Sequence, residues 1–371
     1  MHNKTTRYST VRRSFLAGLL AASAVIGHAQ NGPPPQPDQV LSAAERKAVI
    51  DTLIQEVGSR YVSPDIAKKI ETDMRARLKS GAYDGITSAK QLASTLSTQL
   101  YDASKDKHMG VRFSARSLPP SSGGKPSPEE RAQELAQYKM RNFGVERVER
   151  LPGNIGYLDL RNFVASGQSG ATIGAAMTLL QHTDAIIIDL RKNGGGEPSG
   201  VALVASYFLD AHTHLTDYYE RGSGATEQSW SLEHLAGARY GATRPLYILT
   251  SARTFSAAEE FAYDLQALKR AVVVGETTGG GAHPGDVYRL GEHFQMFIPT
   301  GRSINPVTKG DWDKVGVSPD VSVPQERALA SAQLTLLKTF GETARDPRAK
   351  AELQARVDEL EAGLKQAPTV K

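Results

Sequence analysis

The stretch LYILTSARTFSAAEEFAYDLQALKRAVVVGE, residues 246–276, decides the fold class. It begins and ends with short apolar runs, and the intervening segment carries Phe261, Leu265 and Leu268 at helical spacing. Strands that are apolar along their whole length are typical of parallel sheets covered on both faces. A strand, a helix and a second such strand predict a right-handed β-α-β unit. The chain is therefore expected to be α/β.

The neighbouring segments extend this pattern in both directions. DAIIIDL (184–190) predicts another buried strand, followed by the loop RKNGGGEPSG and a helix that starts at Pro198. VERVERLPGNIGYLDLRNF (145–163) predicts a hairpin with its turn at Pro152-Gly153-Asn154. From Pro324 onward the pattern is mostly helical and ends in the charged segment DPRAKAELQARVDELEAGLKQ. A solvated or packing helix is the favoured interpretation of that segment over a partner-binding one.

Residues 41–107 predict a small all-α domain. Ser42 and Glu45 form a capping-box pattern, Ser63-Pro64 is typical of a helix start, and Leu92, Leu96 and Leu100 line one face of a third helix. KHMGVRF then predicts a short strand. A loop rich in Ser, Pro and Gly and a helix in PEERAQELAQYKMRNFG precede the hairpin.

The first 29 residues predict an export signal, either for the general secretory route or for the twin-arginine route. Lys4, Arg7, Arg12 and Arg13 precede the apolar run SFLAGLLAASAVIG, and small residues favour cleavage after Ala29. Residues 30–40 are a Pro-rich tether. The expected location of the mature protein is therefore the periplasm or the exterior of the cell.

Charge and cysteine content exclude several function classes. The net charge of +4 matches the four basic residues of the signal, so the mature chain is near neutral and nucleic-acid binding is not expected. The sequence has no cysteine, which excludes Cys catalysis, Cys-based zinc sites and a lipid anchor on a cysteine after the cleavage site. No stable membrane anchor is expected, and the sequence leaves the oligomeric state open.

Ser256 in TFSAAEEF (254–261) has two interpretations. With Glu259 three residues later it is a capping box that starts a helix. At the end of a buried strand, beside fresh helical N–H groups, it could also be a nucleophile, although the elbow motif GxSxG is absent. Lys269 lies about 20 Å along the same helix and cannot serve as its base. His108 and His283 are the candidate bases, and Asp313 could orient an imidazole.

Three glycines follow the buried strand at residues 194–196. A phosphate loop is disfavoured because no Gly-Lys-Ser/Thr sequence follows and Glu197 would repel a phosphate at the helix start. An oxyanion hole fits better, since it needs only one or two backbone N–H groups.

The ordered set DAIIIDLRKNGGG, LTSARTFSAAEEFAYDLQ, AVVVGETTGGGAHP and WDKVGVSPDV resembles peptidase family S41, which includes C-terminal processing proteases, tricorn protease and the interphotoreceptor retinoid-binding protein. The helical opening that ends in DKHMGV, without room for a PDZ domain, is most similar to the retinoid-binding-protein-like branch. The resemblance implies a ClpP/crotonase-like core of β-β-α units at 108–323, a small all-α N-terminal domain and a helical C-terminus at 324–371.

The resemblance also implies site residues. Ser256 would be the nucleophile, and the N–H groups of Ala257 and of Gly194 or Gly195 would form the oxyanion hole. The processing branch uses a Ser-Lys dyad whose lysine would fall about where Gly281 stands in this chain.

The tricorn-like arrangement maps His108 to the general base and Asp313 to its orienting carboxylate. The family usually has Glu where Asp313 stands, and tricorn has Ser where Lys107 precedes the histidine. His283 remains a substrate contact or an alternative base.

The expected function is an exported serine peptidase that hydrolyses peptides or unfolded proteins through an acyl-enzyme, with no metal or cofactor. An alternative is a non-catalytic module that binds peptides or apolar ligands on the same fold. A crotonase-like acyl-CoA enzyme is a third possibility, which export disfavours.

Overall fold

The computed structural model describes residues 36–118 and 127–366. The predicted signal, most of the tether and the middle of the loop rich in Ser, Pro and Gly lie outside the described residues. The helices are α1 (Ala43–Arg60), α2 (Pro64–Lys79), α3 (Ala89–Ser104), α4 (Pro128–Met140), α5 (Ser166–Leu180), α6 (Pro198–Ser206), α7 (Ala257–Ala267), α8 (Gln325–Thr343) and α9 (Pro347–Gln366), with a short 3₁₀ turn at Asn142–Gly144. Within the described ranges, none of these is both long and apolar enough to cross a membrane.

Twelve strands are described, in three sheets. They are β1 (Val111–Phe113), β2 (Val145–Leu151), β3 (Ile155–Leu160), β4 (Ala185–Asp189), β5 (His214–Glu220), β6 (Thr226–Trp230), β7 (Leu246–Thr250), β8 (Val272–Gly275), β9 (Gly285–Arg289), β10 (Phe294–Pro299), β11 (Gly301–Ile304) and β12 (Val321–Ser322). The central sheet has the order β12-β8-β7-β4-β3-β2, and the other two are β1-β10-β9 and β11-β5-β6.

The central sheet confirms the predicted α/β class. Its strands pair in parallel from β3 to β12, and β2 is added antiparallel to β3 through the predicted hairpin. Alternate residues of β4 face opposite cores: Ile186 and Ile188 pack towards the side of α5, α6 and α7, whereas Ile187 packs towards α8 and α9. Helices on both faces explain why these strands are apolar along their whole length.

The three N-terminal helices form where the sequence predicts them. α1 begins with the expected capping box, in which the Ser42 hydroxyl and the Glu45 carboxylate each accept a backbone N–H. These helices share one core with the sheet β1-β10-β9, to which Leu290, Phe294 and Ile298 contribute. Residues 290–298 therefore pack against the helical part of the chain, residues 41–107.

The two small antiparallel sheets are absent from the sequence prediction. β6 is TEQSW, whose side chains are mostly exposed, so it has no apolar alternation that would indicate a strand. β9 is likewise a half-exposed edge strand. Both sheets matter for function because their residues form one wall of the cleft described next.

Candidate active site

Ser256 sits at a sharp strand-to-helix turn between β7 and α7. Its backbone has φ 55° and ψ −126°, a conformation that costs about 1–3 kcal/mol for a residue with a side chain and that persists only where the surroundings enforce it. The enforcing contacts come from the turn itself and from the loop after β4. The Thr254 hydroxyl donates to the Leu190 carbonyl at 2.8 Å, and the Phe255 N–H donates to the Asn193 carbonyl at 3.1 Å.

Ser256 and Glu259 stand at the capping-box positions of α7. The Ser256 N–H donates to Glu259 Oε2 at 2.8 Å, and the Glu259 N–H donates to the Ser256 carbonyl at 2.8 Å. Ser256 also lines the cleft described below.

Glu259 is fully buried and ties the turn to residues 278–281. Besides the Ser256 N–H, its carboxylate accepts from the Thr278 hydroxyl and from the N–H groups of Gly280 and Gly281. Burial raises the pKa of Glu259, and these four donors lower it, with a net pKa above the ordinary value. One carboxylate oxygen holds both the Ser256 and the Gly281 N–H, so these two backbone segments are adjacent.

The glycine loop lies directly against this turn. Gly195 has φ +113°, and a Cβ on it would come within 2.8 Å of the Ser256 Cβ. The Gly195 N–H donates to Asn193 Oδ1 at 2.8 Å, so it is not free to bind an oxyanion. Within the described part of the chain, the N–H groups of Gly194, Gly196 and Ala257 donate to no acceptor. Of the two glycines expected from the sequence, Gly194 is thus the one with an available donor.

His108 follows α3 and reaches Gly281. Its side chain is 8% exposed and lies between the rings of Phe255 and Phe297, with centroid distances of 4.5 and 5.4 Å. A Cβ on Gly281 would fall 2.5 Å from His108 Cε1 and 2.3 Å from Phe255 Cζ. The imidazole therefore occupies the space that a side chain at position 281 would need. Among the described residues, neither ring nitrogen has a hydrogen-bond partner.

Asp106 is the carboxylate beside His108, and sequence analysis missed it. His108 Nδ1 lies 3.3 Å from Asp106 Oδ1, which also accepts the His108 N–H at 2.9 Å. The other oxygen, Oδ2, lies 3.2 Å from both His283 Nδ1 and the Tyr61 hydroxyl. Burial raises the pKa of Asp106, but the two histidines outweigh burial and the net pKa lies below the ordinary value. The Asp-x-His spacing of residues 106–108 was the available signal.

Asp313 lies beside His283 rather than His108. Its Oδ1 is 3.7 Å from His283 Nδ1, and its Oδ2 is 3.6 Å from the Lys314 ammonium. Among the described residues, Asp313 makes no ion pair with His108, whereas Asp106 Oδ1 lies 3.3 Å from His108 Nδ1.

Burial lowers the pKa of His283, whereas Asp106 and Asp313 raise it to a net value above the ordinary one. Burial also raises the pKa of Asp313. Ligand atoms of Asp106, His283 and Asp313 lie within 4.8 Å of one another, which is close enough for a metal ion. A protonated His283 also supplies a positive charge beside the two carboxylates.

These residues surround a cleft of about 460 Å³. The Lys107 ammonium donates to the Gly279 carbonyl at 2.5 Å. The cleft is lined, among others, by Lys107, His108, Arg112, Gly194, Gly196, Glu197, Tyr218, Phe255, Ser256, Ala257, Glu260, Gly281, His283, Asp286, Val287, Phe297, Ser303 and Trp312.

Two family models match the chain. Residues 154–323 match peptidase family S41, and residues 40–143 match the N-terminal domain of peptidase S41 in eukaryotic IRBP. The chain belongs to peptidase family S41. The match to the N-terminal model agrees with the branch that the helical opening indicated.

Curated relatives of this S41 chain include two processing proteases. It is 30% identical over 48% of its length to a chloroplastic carboxyl-terminal-processing peptidase 2 of Arabidopsis thaliana, and 29% identical over 46% to a carboxyl-terminal-processing protease of Picosynechococcus. These matches span only 35% and 40% of the relatives' own lengths.

Solved structures share the fold. Mature CPAF matches 81% of this chain and 98% of its own at a TM-score of 0.54 and 11% identity. A lipoprotein from Streptococcus agalactiae matches 81% and 98% at 0.51 and 15%.

Replacing Asp106 by Asn is expected to lower the pKa of His283. The carboxylate is a main cause of the raised pKa, and the amide removes its charge while keeping its shape. Titration of the imidazole signals by NMR, with the His283 signal assigned from a His283→Gln variant, measures the effect. Asp102→Asn, an exposed aspartate on α3 paired with Lys105, is the matched control and should leave the pKa unchanged. An unchanged His283 pKa in Asp106→Asn would contradict the assigned contact.

Proposed function

We propose that this chain is an exported serine peptidase of the S41 type that hydrolyses peptide bonds through an acyl-enzyme. The observation that carries the proposal is the strained turn at Ser256. Ser256 lines a cleft with His108, and unpaired N–H groups lie beside it. Strained backbone at such a position is characteristic of functional sites.

In this mechanism His108 removes the proton from the Ser256 hydroxyl as the oxygen attacks the substrate carbonyl. The N–H groups of Ala257 and Gly194 bind the oxyanion, and the N-terminal end of α7 adds its positive dipole. His108 then protonates the leaving amine, and water attacks the acyl-enzyme with His108 again as base. Ser256 and His108 are not hydrogen-bonded in the ligand-free protein, and such contacts often tighten only when substrate binds.

Asp106 acts in this proposal as the positioning residue for His108. Its depressed pKa keeps it ionised at neutral pH, where its charge stabilises the imidazolium formed during attack. Asp313 contacts His283, which in turn contacts Asp106, so its effect on His108 is indirect. His283 also lines the cleft and is held by the same aspartate, so it is the alternative base that the experiments must separate from His108.

Ser256→Ala is expected to lower kcat by about 10³-fold or more and to abolish labelling by a fluorophosphonate probe, as in other triad deletions. Intact mass of the labelled protein measures the adduct, and cleavage of an unfolded protein measures turnover. His108→Ala should lose labelling, whereas His283→Ala should retain it.

Ser303→Ala, which removes another serine of the same cleft, is the control and should label like the wild type. A folded wild-type protein that takes no label and cleaves nothing would instead support the non-catalytic binding module.

Gly281→Ala is expected to reduce kcat by at least about 10²-fold, because its Cβ would displace the His108 imidazole and the Phe255 ring. Turnover and thermal unfolding are measured together, so that loss of the base is distinguished from loss of the fold. Gly341→Ala on α8, where a Cβ meets no atom within 4 Å, is the matched control. Full activity in Gly281→Ala would exclude His108, in its present position, as the base.

Export is part of the proposal and rests on residues 1–29 alone. Intact mass of the protein from a cell that secretes it is expected to correspond to a chain that begins at Gln30. A chain that keeps all 371 residues after secretion would contradict the predicted cleavage.

A further inference from the structure

Two buried carboxyl groups on α7 have no part in the proposed mechanism. Glu260 and Asp264 lie one helical turn apart, 4% and 1% exposed. Glu260 is also one turn from Ser256, and Glu260 and Ser256 both line the cleft. A buried acid so close to the nucleophile calls for a physical explanation, because burying a carboxylate is costly unless it is paired.

The partners of this acid pair are neutral. The Tyr218 hydroxyl donates to Glu260 Oε1, whereas Asp264 accepts from the Thr216 hydroxyl at 2.9 Å and from the Asn305 amide at 2.8 Å. Among the described residues, no Lys, Arg or His lies within 4 Å of either carboxylate. Burial raises the pKa of Glu260 to about 7, and burial together with the charge of Glu260 raises the pKa of Asp264 well above its ordinary value. The pair therefore lacks a counter-ion.

Glu260 lines the cleft, although only 4% of it is exposed. Its second carboxylate oxygen makes no hydrogen bond with the described residues. A cation entering the cleft beside Ser256 could therefore reach this oxygen directly, and it would supply the missing positive charge.

The other charged residues of the cleft also favour a cationic ligand. Glu197 and Asp286 also line the cleft, and burial, with the charges of Glu134 and Asp286, raises the pKa of Glu197. Two permanent cations, Lys107 and Arg112, line the same cleft, and the Lys107 ammonium donates to the Gly279 carbonyl. The two histidines face Asp106. Glu197, Glu260 and Asp286 thus outnumber the permanent cations of the cleft by three to two.

From this geometry we infer that the cleft selects substrates with a basic side chain, lysine or arginine, next to the bond that is cleaved, and that Glu260 binds its ammonium or guanidinium group. This inference rests on the proposed peptidase function for its kinetic consequence. The binding of the cation itself requires only the cleft. Tyr218 keeps one oxygen of Glu260 in place, so the other is presented in a fixed direction.

The kinetic test compares two peptides that differ only in arginine or citrulline beside the cleaved bond, since citrulline has the shape of arginine without its charge. The wild type is expected to show a kcat/KM at least about tenfold higher for the arginine peptide, because a desolvated ion pair is lost in the other. Glu260→Gln should bring this ratio close to one, since the amide still accepts from Tyr218 but carries no charge. Glu227→Gln, an exposed glutamate on β6, is the matched control and should keep the wild-type ratio.

A binding test separates failure of this inference from failure of the peptidase function. Benzamidine, a small aromatic cation, is titrated calorimetrically into the Ser256→Ala protein, which needs no turnover. Binding that weakens at least about tenfold in Ser256→Ala/Glu260→Gln supports the inference. Absence of binding, or equal binding by both proteins, overturns it, as does equal cleavage of both peptides by the wild type. Benzamidine binding that depends on Glu260 in a protein that cleaves no peptide would overturn the peptidase function and leave the cation site standing.

Discussion

The buried carboxylate of Glu259 joins the Ser256 turn to residues 278–281, and the rest of the cleft depends on this connection. It accepts four hydrogen bonds, one from the backbone of Ser256 and three from residues 278–281. A carboxylate without solvent must satisfy its oxygens internally, so the two segments cannot separate without leaving a buried charge unpaired. This carboxylate therefore holds the Ser256 turn next to Gly281, which approaches His108 closely. The capping-box pattern of Ser256 and Glu259 in the sequence predicts one of these four hydrogen bonds, the one from the Ser256 N–H.

The core of the fold could be predicted because its strands and helices are indicated by residues close together in the sequence. Buried parallel strands such as β4 are apolar at every position, and the helices between them have clear caps and apolar faces. The two small sheets could not be predicted, since strands such as β6 and β9 lie half in solvent and have no periodic pattern. Their pairing is decided by distant partners, and β1 joins β10 across more than 180 residues.

The candidate site was predictable in part for the same reason. Ser256 and the glycine loop follow buried strands, and the carboxyl ends of parallel strands gather at one edge of a sheet. The partner of His108 was not predictable from that rule. Asp106 reaches His108 through a two-residue turn, whereas Asp313, which the family pattern favours, meets His283 on the other side. Side-chain direction after a helix end depends on local backbone angles that the residue pattern does not encode.

A side chain at position 281 would collide with the His108 imidazole. In the processing branch that the motifs resemble, a lysine stands about where Gly281 does, and in this chain the imidazole fills that volume. The lysine and the histidine therefore exclude each other from the same space. A chain with a lysine at position 281 would have to move the His108 imidazole and the Phe255 ring, so residue 281 and the loop that carries the histidine are constrained to change together.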